Sequence, residues 1–488
     1  MGLKKNKFNN LDFTIPFLLV ILNLVLKFIF ITTRDIALDE PFSIYFGQMD
    51  FKSIIQMLYN ENNPPLHFFI LHLFIKLFGI GALSVRLPSL IFSTLTALMI
   101  YKTGKRFFNL TTGIGASLIF TFSTMHIFFS HEARVYPLFS LLTICSLYLF
   151  LSIVENPDKK NNFIYLFLCN LLLVYGHYFG FFVLFIEVAC LLFISNWKDI
   201  WKKLFVMMTL VAICYVPIIL IFFHRLGVST GNGTWVAKPG ITELYGNLNR
   251  FLNDRTNTLV LIIIFIGSTI VMYKQKILSA KINLLKSNIN LKIVLIWFLA
   301  PYLIMFLVSY KFPMFIDRYI LFTSIPFYIT IAVVIEHFFV KSTYSIIAFS
   351  LLIMSQLFTM QLNPNNNRRL KELAMITKAL KTDSTTTLIA PHYAFMGFCY
   401  YYNLEYFQQA PNTIKRLNEE NIFPVSNAKD ANEILESRTN KKNPCIYIQA
   451  GSEFTDPKNE IFQLLKDHYK HDKIFHVFEI YDIHYFTN

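Results

Sequence analysis

The chain has 488 residues, of which 55% are hydrophobic, 17% aromatic and only 15% charged. Because soluble globular proteins average about a quarter charged residues, this composition excludes that class and indicates an integral membrane protein. The net charge of +14 comes largely from Lys and Arg in short links between apolar stretches. The sequence has no basic stripe with interleaved aromatic residues, as a nucleic-acid-binding protein would have. We therefore expect these basic residues to contact the lipid surface and not a nucleic acid.

Apolar stretches of about 16 to 22 residues recur through the first three quarters of the chain, as membrane-spanning helices do. The first, at 13–31, is too long for a signal-peptide core and lacks a small-residue cleavage site, so we expect it to stay in the membrane. Lys4, Lys5 and Lys7 precede it and predict a cytoplasmic N-terminus. Further spans are predicted at 88–104, 111–129, 137–154, 163–179, 180–196, 204–223, 257–273, 292–309, 319–336 and 343–360, about eleven in all.

The segment 65–78 decides the predicted topology. It is apolar, but it is short and carries His67, His72 and Lys76. If it crossed the membrane, the basic clusters that follow in the chain would lie outside, against the positive-inside rule. We therefore predict an interfacial helix here, which leaves residues 34–87, 224–256 and the tail from 362 on the outer side of a cytoplasmic membrane.

These outer stretches differ in character. In the first, we predict two short surface helices, one that starts at Asp39 and one capped by Asp50, before the extended run Asn62-Asn63-Pro64-Pro65. The stretch 224–256 is rich in Gly and Asn and is typical of a mobile loop or lid.

The tail predicts a small soluble α/β domain at 362–488, which follows a transmembrane domain at 1–361 whose outer catalytic loop is 34–87. The tail has no Gly-rich phosphate loop, so we expect it to cap the outer face. A disulfide between Cys399 and Cys445 is left open. The predicted elements are a linker at 363–367, helices at 368–380 and 458–469, and strands at 386–390, 445–449 and 474–485.

Polar and aromatic side chains concentrate at the predicted outer ends of the spans. Each alone can be an interface anchor, and this alternative is strongest for His177. Arg134 and Arg318 lie beside span ends on the same predicted side as Asp39 and Glu40, which favours anion binding. The candidate binding residues are His67, Arg86, His131, Glu132, Arg134, Tyr136, His177, Tyr178, Lys311, Arg318 and Tyr319.

Asp39 and Glu40 are the candidate catalytic residues. The alternative role is an N-terminal cap, because Pro41 fits the first turn of a helix. A carboxylate beside several cations suits sugar transfer from a lipid-phosphate donor: the carboxylate deprotonates the acceptor hydroxyl while Arg and Lys stabilise the leaving phosphate. A single displacement of this kind would invert the anomeric centre.

Several short motifs occur in a characteristic order. They are Asp-Glu-Pro, Asn-Pro-Pro-Leu-His-Phe, Phe-Gly, Val-Arg-Leu-Pro-Ser, Ser-His-Glu-Ala-Arg-Val-Tyr, Gly-His-Tyr-Phe-Gly and Arg-Tyr. In this order, over about residues 10–360, the chain resembles the protein-mannosyltransferase-like family of the C superfamily of membrane glycosyltransferases. The resemblance implies a polyprenyl-phosphate-sugar donor, a catalytic Asp at Asp39 with Glu40 as its neighbour, and interfacial helices after them.

The resemblance leaves a metal cofactor open. In the aminoarabinose-transferring branch, a Glu-Lys pair precedes the Pro-Pro motif and a metal ion is implied, whereas Asn62-Asn63 stand here. A divalent metal is therefore possible but not required. The sugar and the acceptor, which is the hydroxyl of a glycan, a lipid or a protein, are not encoded by any motif.

Two other classes compete with a glycosyltransferase. A transporter or flippase would need polar groups within the membrane, and Lys27 and Glu187 are candidates for a buried pair on its path. No repeat with broken helices supports that class, and the charge concentrates at one surface. A phosphoethanolamine-type transferase would need a metal-binding tail with a Thr nucleophile, a pattern that the tail lacks.

Overall fold

The structure is a computed structural model that describes residues 10–59, 63–195, 197–231, 236–339, 342–363, 368–437, 443–452 and 455–488. The described chain is mostly helical up to residue 363 and mixed α/β after it. The chain divides into two compact units. The first unit comprises residues 1–31, 55–70 and 86–364, and the second comprises residues 32–54, 71–85 and 365–488.

Helices form most of the first 363 residues. Four of them precede the long helix that carries Pro88: α1 (Asn10–Phe28), α2 (Glu40–Gly47), α3 (Phe51–Met57) and α4 (Leu66–Phe78). The others are α5 (Ala82–Phe107), α6 (Leu110–Thr121), α7 (Thr124–Ser130), α8 (Tyr136–Glu155), α9 (Lys160–Gly176), α10 (Gly180–Cys190), α11 (Trp197–Gly231), α12 (Ile241–Phe251), α13 (Arg255–Lys274), α14 (Leu278–Ser287), α15 (Ile289–Val308), α16 (Asp317–Ile320), α17 (Ser324–Phe338) and α18 (Ser342–Thr359).

The chain is a multi-pass membrane protein, but the predicted count of eleven spans is not confirmed. Within the described ranges, six helices are long and apolar enough to cross a membrane, or seven if α6 and α7 form one span that is bent by 63°. Helix α10 has 11 residues and rises only about 16 Å, against roughly 30 Å of hydrocarbon. Helix α4, at 13 residues, is likewise too short, as expected of an interfacial helix.

The helices of the first unit differ in how far their apolar residues are buried, which distinguishes central helices from peripheral ones. In α8 and in the segment Asp317–Phe338, 72% of an apolar stretch of 18 residues is buried inside the protein. The corresponding values for α11 and α13 are 33% and 22%. Trp297, Tyr302 and Tyr328 are among the largest fully buried side chains at the centre. The exposed apolar residues of α11 and α13 fit contact with lipid, because lipid tails do not oppose apolar exposure as water does.

The predicted loop at 224–256 is largely helical. Helix α11 continues to Gly231, and α12 spans Ile241–Phe251. Tyr302 Oη donates a hydrogen bond of 2.5 Å to the Leu244 carbonyl oxygen, which holds α12 against α15. The prediction of a loop from the Gly and Asn content is therefore wrong for these two helices, because tertiary packing overrides the weak helix penalty of single residues.

The tail forms a five-stranded mixed sheet in the order β2-β1-β3-β5-β4. Strand β1 pairs in parallel with β2 and β3, whereas β5 pairs antiparallel with β3 and β4. The strands are β1 (Thr386–Ala390), β2 (Ile422–Pro424), β3 (Cys445–Ala450), β4 (His471–Phe478) and β5 (Tyr481–Thr487), and the helices are α19 (Leu370–Leu380), α20 (Phe395–Tyr402), α21 (Leu404–Gln408), α22 (Thr413–Glu419), α23 (Ala428–Glu436) and α24 (Glu460–His468).

The predicted α/β tail is confirmed, with one correction and several additions. The predicted strand at 474–485 is two strands, β4 and β5, joined by a turn at 479–480. Strand β2 and helices α20 to α23 were not predicted, and most of the linker at 363–367 lies outside the described residues. Cys399 and Cys445 are both buried free thiols, so no disulfide joins them.

Helices α5 and α6 pack so closely that glycine is required where they meet. A Cβ atom on Gly113 would lie 2.6 Å from the Tyr101 carbonyl oxygen and 2.8 Å from the Lys105 backbone nitrogen. Both neighbours are backbone atoms of α5, so neither can rotate away. The short link between the two helices thus depends on a residue without a side chain.

We expect Gly113→Ala to lower the stability of the protein by about 1–3 kcal/mol, because the added methyl group forces α5 and α6 apart. Gly267→Ala is the matched control, since nothing lies within 4 Å of a Cβ atom at that position in α13. Thermal unfolding in detergent measures both variants. Equal melting temperatures for the two would contradict the close packing.

Candidate functional site

The predicted catalytic residues lie in the second unit, at the start of α2. Asp39 is half-buried and Glu40 is 3% exposed. Pro41 occupies the first turn of the helix, as predicted. The loop thus has the two predicted surface helices, α2 after Asp39 and α3 after Asp50, whose Oδ1 accepts a hydrogen bond of 2.8 Å from the Ser53 backbone N–H.

Asp39 does not cap α2 with its side chain, although it holds the N-cap position. Its backbone is helical, with φ −87° and ψ −6°, whereas a capping side chain needs an extended backbone to turn back on the first N–H groups. Asp254 shows the contrast: it is extended, with φ −157° and ψ −178°, and its carboxylate accepts from the Asn257 N–H. The capping role considered for Asp39 is therefore not the role its carboxylate has in this structure.

The residue before Asp39 has a strained backbone. Leu38 has a φ of +56°, in the left-handed region that costs an L-residue other than glycine about 1–2 kcal/mol. Strain of this kind persists only where the surrounding structure imposes it, and it clusters at functional sites. Its effect here is to turn the chain sharply just before the two carboxylates.

The predicted binding residues at 131–136 form an irregular link between α7 and α8 in the first unit. Two side chains from other helices hold its backbone, and one side chain of the link holds the backbone of α1. His67 Nε2 donates to the Ala133 carbonyl oxygen at 3.1 Å, and Ser89 Oγ donates to the Arg134 carbonyl oxygen at 3.3 Å. In the opposite direction, His131 Nε2 donates to the Lys27 carbonyl oxygen of α1 at 2.8 Å. The link is thereby fixed to α1, α4 and α5.

Five of the predicted residues form a continuous row in the first unit, which we call the cation–aromatic row: Arg134, Tyr136, His177, Tyr319 and Arg318. The Arg134 guanidinium carbon lies 5.8 Å from the Tyr136 ring centre, and that ring lies 6.2 Å from the His177 ring. His177 lies 6.3 Å from Tyr319, whose ring is 5.6 Å from the Arg318 guanidinium carbon. Residues separated by up to 185 positions in the sequence are thus brought together.

The hydrogen bonds of His177 define its protonation. Its Nδ1 accepts a hydrogen bond of 3.1 Å from the Phe179 backbone N–H, so in this arrangement Nδ1 carries no proton and the ring is neutral with its proton on Nε2. The ring stacks on Phe139 and Phe179, each at 4.9 Å. These two aromatic residues were not predicted, and no signal beyond the place of Phe179 in the Gly-His-Tyr-Phe-Gly motif points to them.

The other predicted binding residues do not join the row through the contacts described. Arg86 is fully buried and donates to the Ile31 carbonyl oxygen at 2.7 Å. Tyr178 packs its ring against Phe222 of α11 at 5.3 Å. Lys311 is exposed, with its ammonium 5.4 Å from the Phe312 ring. Glu132 is buried in the same link as Arg134.

Lys27 and Glu187 do not form the buried pair considered for a transport path. Lys27 Nζ donates to Asn23 Oδ1 at 2.7 Å and lies 4.4 Å from the Phe120 ring. Glu187 instead accepts hydrogen bonds from Ser146 and Asn170, at 2.5 and 2.8 Å. Lys27 thus has a hydrogen-bond partner on its own helix, and Glu187 has partners on α8 and α9, as buried polar groups in a membrane must have.

A metal site would bring several ligand side chains together. Among the side chains that the structure describes, no three of His, Cys, Asp and Glu come together as ligands. The cation–aromatic row carries two guanidinium groups, which repel a cation.

A family model described as dolichyl-phosphate-mannose-protein mannosyltransferase matches residues 62–222. The match confirms the resemblance inferred from the motifs, and it includes Arg86, Arg134 and His177. Asp39 and Arg318 lie outside the matched range. No curated protein matches the chain in sequence.

Solved structures share the fold over almost the whole chain. ArnT from Cupriavidus metallidurans bound to undecaprenyl phosphate matches with a TM-score of 0.61 at 11% identity, over 98% of each chain. The apo structure of the same protein gives 0.59 at 12%, over 96% of this chain and 97% of that one. The archaeal oligosaccharyltransferase AglB from Archaeoglobus fulgidus, in complex with an inhibitory peptide and a dolichol-phosphate, gives 0.52 at 10%, over 95% and 73%. At such low identity, these matches establish the fold alone.

Burial of His67 makes a pH-dependent contribution to stability. Burial, with the charge of Arg134 as a smaller cause, lowers the pKa of His67 from 6.5 to about 4. The unfolded chain therefore binds a proton more tightly than the native one. The contribution of His67 is fully present above about pH 6.5 and is lost as the pH falls towards 4, by up to about 3 kcal/mol.

We expect His67→Gln to reduce the loss of stability between pH 7 and pH 5, because Gln can still donate to the Ala133 carbonyl oxygen but does not titrate in this range. Thermal unfolding of parent and variant at both pH values measures the difference. An unchanged pH dependence would mean that the pKa of His67 is not lowered in the native protein.

Proposed function

We propose that the protein is a membrane glycosyltransferase that moves a sugar from a polyprenyl-phosphate-sugar donor to an acceptor hydroxyl. The observation that carries the proposal is the cation–aromatic row, in which Arg134 and Arg318 flank His177 and two tyrosines. This combination fits a sugar phosphate: guanidinium groups bind phosphate oxygens in pairs, and aromatic faces pack against apolar surfaces of a sugar ring or a lipid. The family match over residues 62–222 supports the same substrate class.

The proposed chemistry is a single displacement. Asp39 accepts the proton of the acceptor hydroxyl as its oxygen attacks the anomeric carbon, and the bond from that carbon to the phosphate oxygen breaks. The donor leaves as polyprenyl phosphate, whose negative charge Arg134 and Arg318 stabilise. No acid is needed for this leaving group, so one carboxylate suffices, and attack from the opposite face inverts the anomeric centre.

The donor explains the membrane location. A polyprenyl chain lies in the bilayer, so the enzyme that uses it must present its phosphate site close to the membrane surface. We propose a cytoplasmic membrane with the N-terminus inside and both the 34–87 loop and the tail outside, as the positive-inside rule indicates. A transporter remains without support, because Lys27 and Glu187 do not pair with each other and nothing in the comparisons favours transport.

The donor phosphate is tested by charge reversal. We expect Arg134→Glu and Arg318→Glu each to raise the KM for donor by at least about tenfold, because a charge-assisted bond worth on the order of 1.5–3 kcal/mol is lost. Lys198→Glu is the matched control, as Lys198 is exposed beside Trp197 and undergoes the same charge change.

Transfer from a polyprenyl-phosphate sugar in detergent measures all three variants. If both arginine variants have the kinetics of the parent, Arg134 and Arg318 are anchors at the membrane interface and do not bind the donor phosphate.

The base is tested by an isosteric substitution. Asp39→Asn keeps the shape of the side chain but cannot take a proton, so we expect transfer to fall by about a hundredfold or more with the fold intact. Asp50→Asn is the matched control, since Asp50 caps the next helix of the same loop and Asn caps about as well as Asp. An active Asp39→Asn variant would end the assignment and direct attention to Glu40.

A further inference from the structure

The segment 34–39, which joins the first membrane helix to α2, is held by the tail within the second unit. It has no regular secondary structure, so its backbone groups depend on partners elsewhere. Ile36 is fully buried, and its backbone N–H donates a hydrogen bond of 2.6 Å to Tyr401 Oη of α20. One hydroxyl of the tail thus satisfies a buried backbone donor three residues before Asp39.

Two further contacts tie the same loop to the tail. Asp35 Oδ2 accepts a hydrogen bond of 3.1 Å from the Lys371 backbone N–H, in the first turn of α19. Tyr45 of α2 donates to the Ala410 carbonyl oxygen, and its ring meets Phe395 edge-on at 5.5 Å. These contacts fix the loop before and after Asp39, at Asp35 and at Tyr45.

The carboxylate of Asp39 is also close to the tail. Burial raises the pKa of Tyr393, and the charge of Asp39 adds to this shift. Between the fixed points at Ile36 and α2 lies the left-handed Leu38. Because strain persists only where the surroundings impose it, we expect Leu38 to return to ordinary backbone angles if one of its flanks is released, and the Asp39 carboxylate then to change direction.

We propose that Tyr401 is a positioning residue for sugar transfer: its hydrogen bond to the Ile36 N–H holds the segment 34–39 in the conformation that aims the Asp39 carboxylate. The proposal rests on the proposed function, in which Asp39 is the base. The proposal gives the tail a role in catalysis. No motif in the sequence of the tail indicates that role. Tyr401 acts through the backbone and need not touch either substrate.

The test compares Tyr401→Phe with Tyr400→Phe. Both remove one tyrosine hydroxyl of α20 and keep the ring. Tyr400 Oη donates to the Ile80 carbonyl oxygen at 2.8 Å, so the control also breaks a hydrogen bond between the tail and an earlier segment of the same unit, but one that does not reach 34–39. A merely structural role predicts the same behaviour for both variants.

Kinetics provide the first readout. We expect Tyr401→Phe to lower kcat by about tenfold or more with the KM for donor within about twofold, because the base is misaimed while the phosphate site is intact. Tyr400→Phe is expected to stay within about twofold in both. In the Asp39→Asn background, Tyr401→Phe is expected to cause no further loss, since it acts only through that carboxylate.

Hydrogen exchange provides the second readout and needs no substrate. We expect faster exchange of the Ile36 amide in Tyr401→Phe and parent-like exchange in Tyr400→Phe. Unchanged exchange would overturn the hydrogen bond, and faster exchange with parent-like kcat would overturn the positioning role. If Asp39→Asn is active, the proposed base fails and the positioning role fails with it, whereas the exchange result still reports separately whether Tyr401 holds the segment.

Discussion

Irregular backbone within a membrane protein must find its hydrogen-bond partners inside the protein, and the link 131–136 depends on this constraint. Regular helices satisfy their own N–H and C=O groups, but the turn between α7 and α8 cannot. His67 and Ser89 donate to two of its carbonyl oxygens, and His131 donates from the link to the Lys27 carbonyl oxygen of α1. The side chains of this link are therefore presented from a fixed backbone.

The same constraint explains the two histidines at this link, His67 and His131. A carbonyl oxygen can only accept, so Nε2 of both His67 and His131 must carry the proton. For His67, burial and the charge of Arg134 keep the pKa low, and the ring stays neutral at physiological pH. Positive charge is thereby concentrated on Arg134 and Arg318, where a phosphate would need it, and kept off the groups that build the scaffold.

The start of α2 differs from other helix starts in what the carboxylate at the N-cap position does. Asp50 and Asp254 accept capping hydrogen bonds from the helices that follow them, whereas Asp39 has a helical backbone and its side chain makes no capping hydrogen bond. The left-handed Leu38 precedes Asp39, and contacts from the tail hold Ile36 and Asp35. Position at a helix start is therefore no guide to the role of the side chain.

The sequence alone determined the class of the protein, the presence and order of most of its helices, the α/β tail and the short helices around Asp39. These follow from local composition, apolar run length and cap residues, which act within a few positions along the chain. All five residues of the cation–aromatic row were also predicted from the sequence as candidate binding residues, because Arg, His and Tyr at span ends are conspicuous against an apolar background.

Only the tertiary structure decided which of the named residues meet. Tyr178 and His177 are neighbours in sequence, yet one packs on α11 and the other lies in the row, since the chain turns between α9 and α10. The bend between α6 and α7, the strain at Leu38 and the bond from Tyr401 to Ile36 leave no local signal either. Each depends on contacts between residues distant in the chain, and those form only when the helices and the sheet have packed.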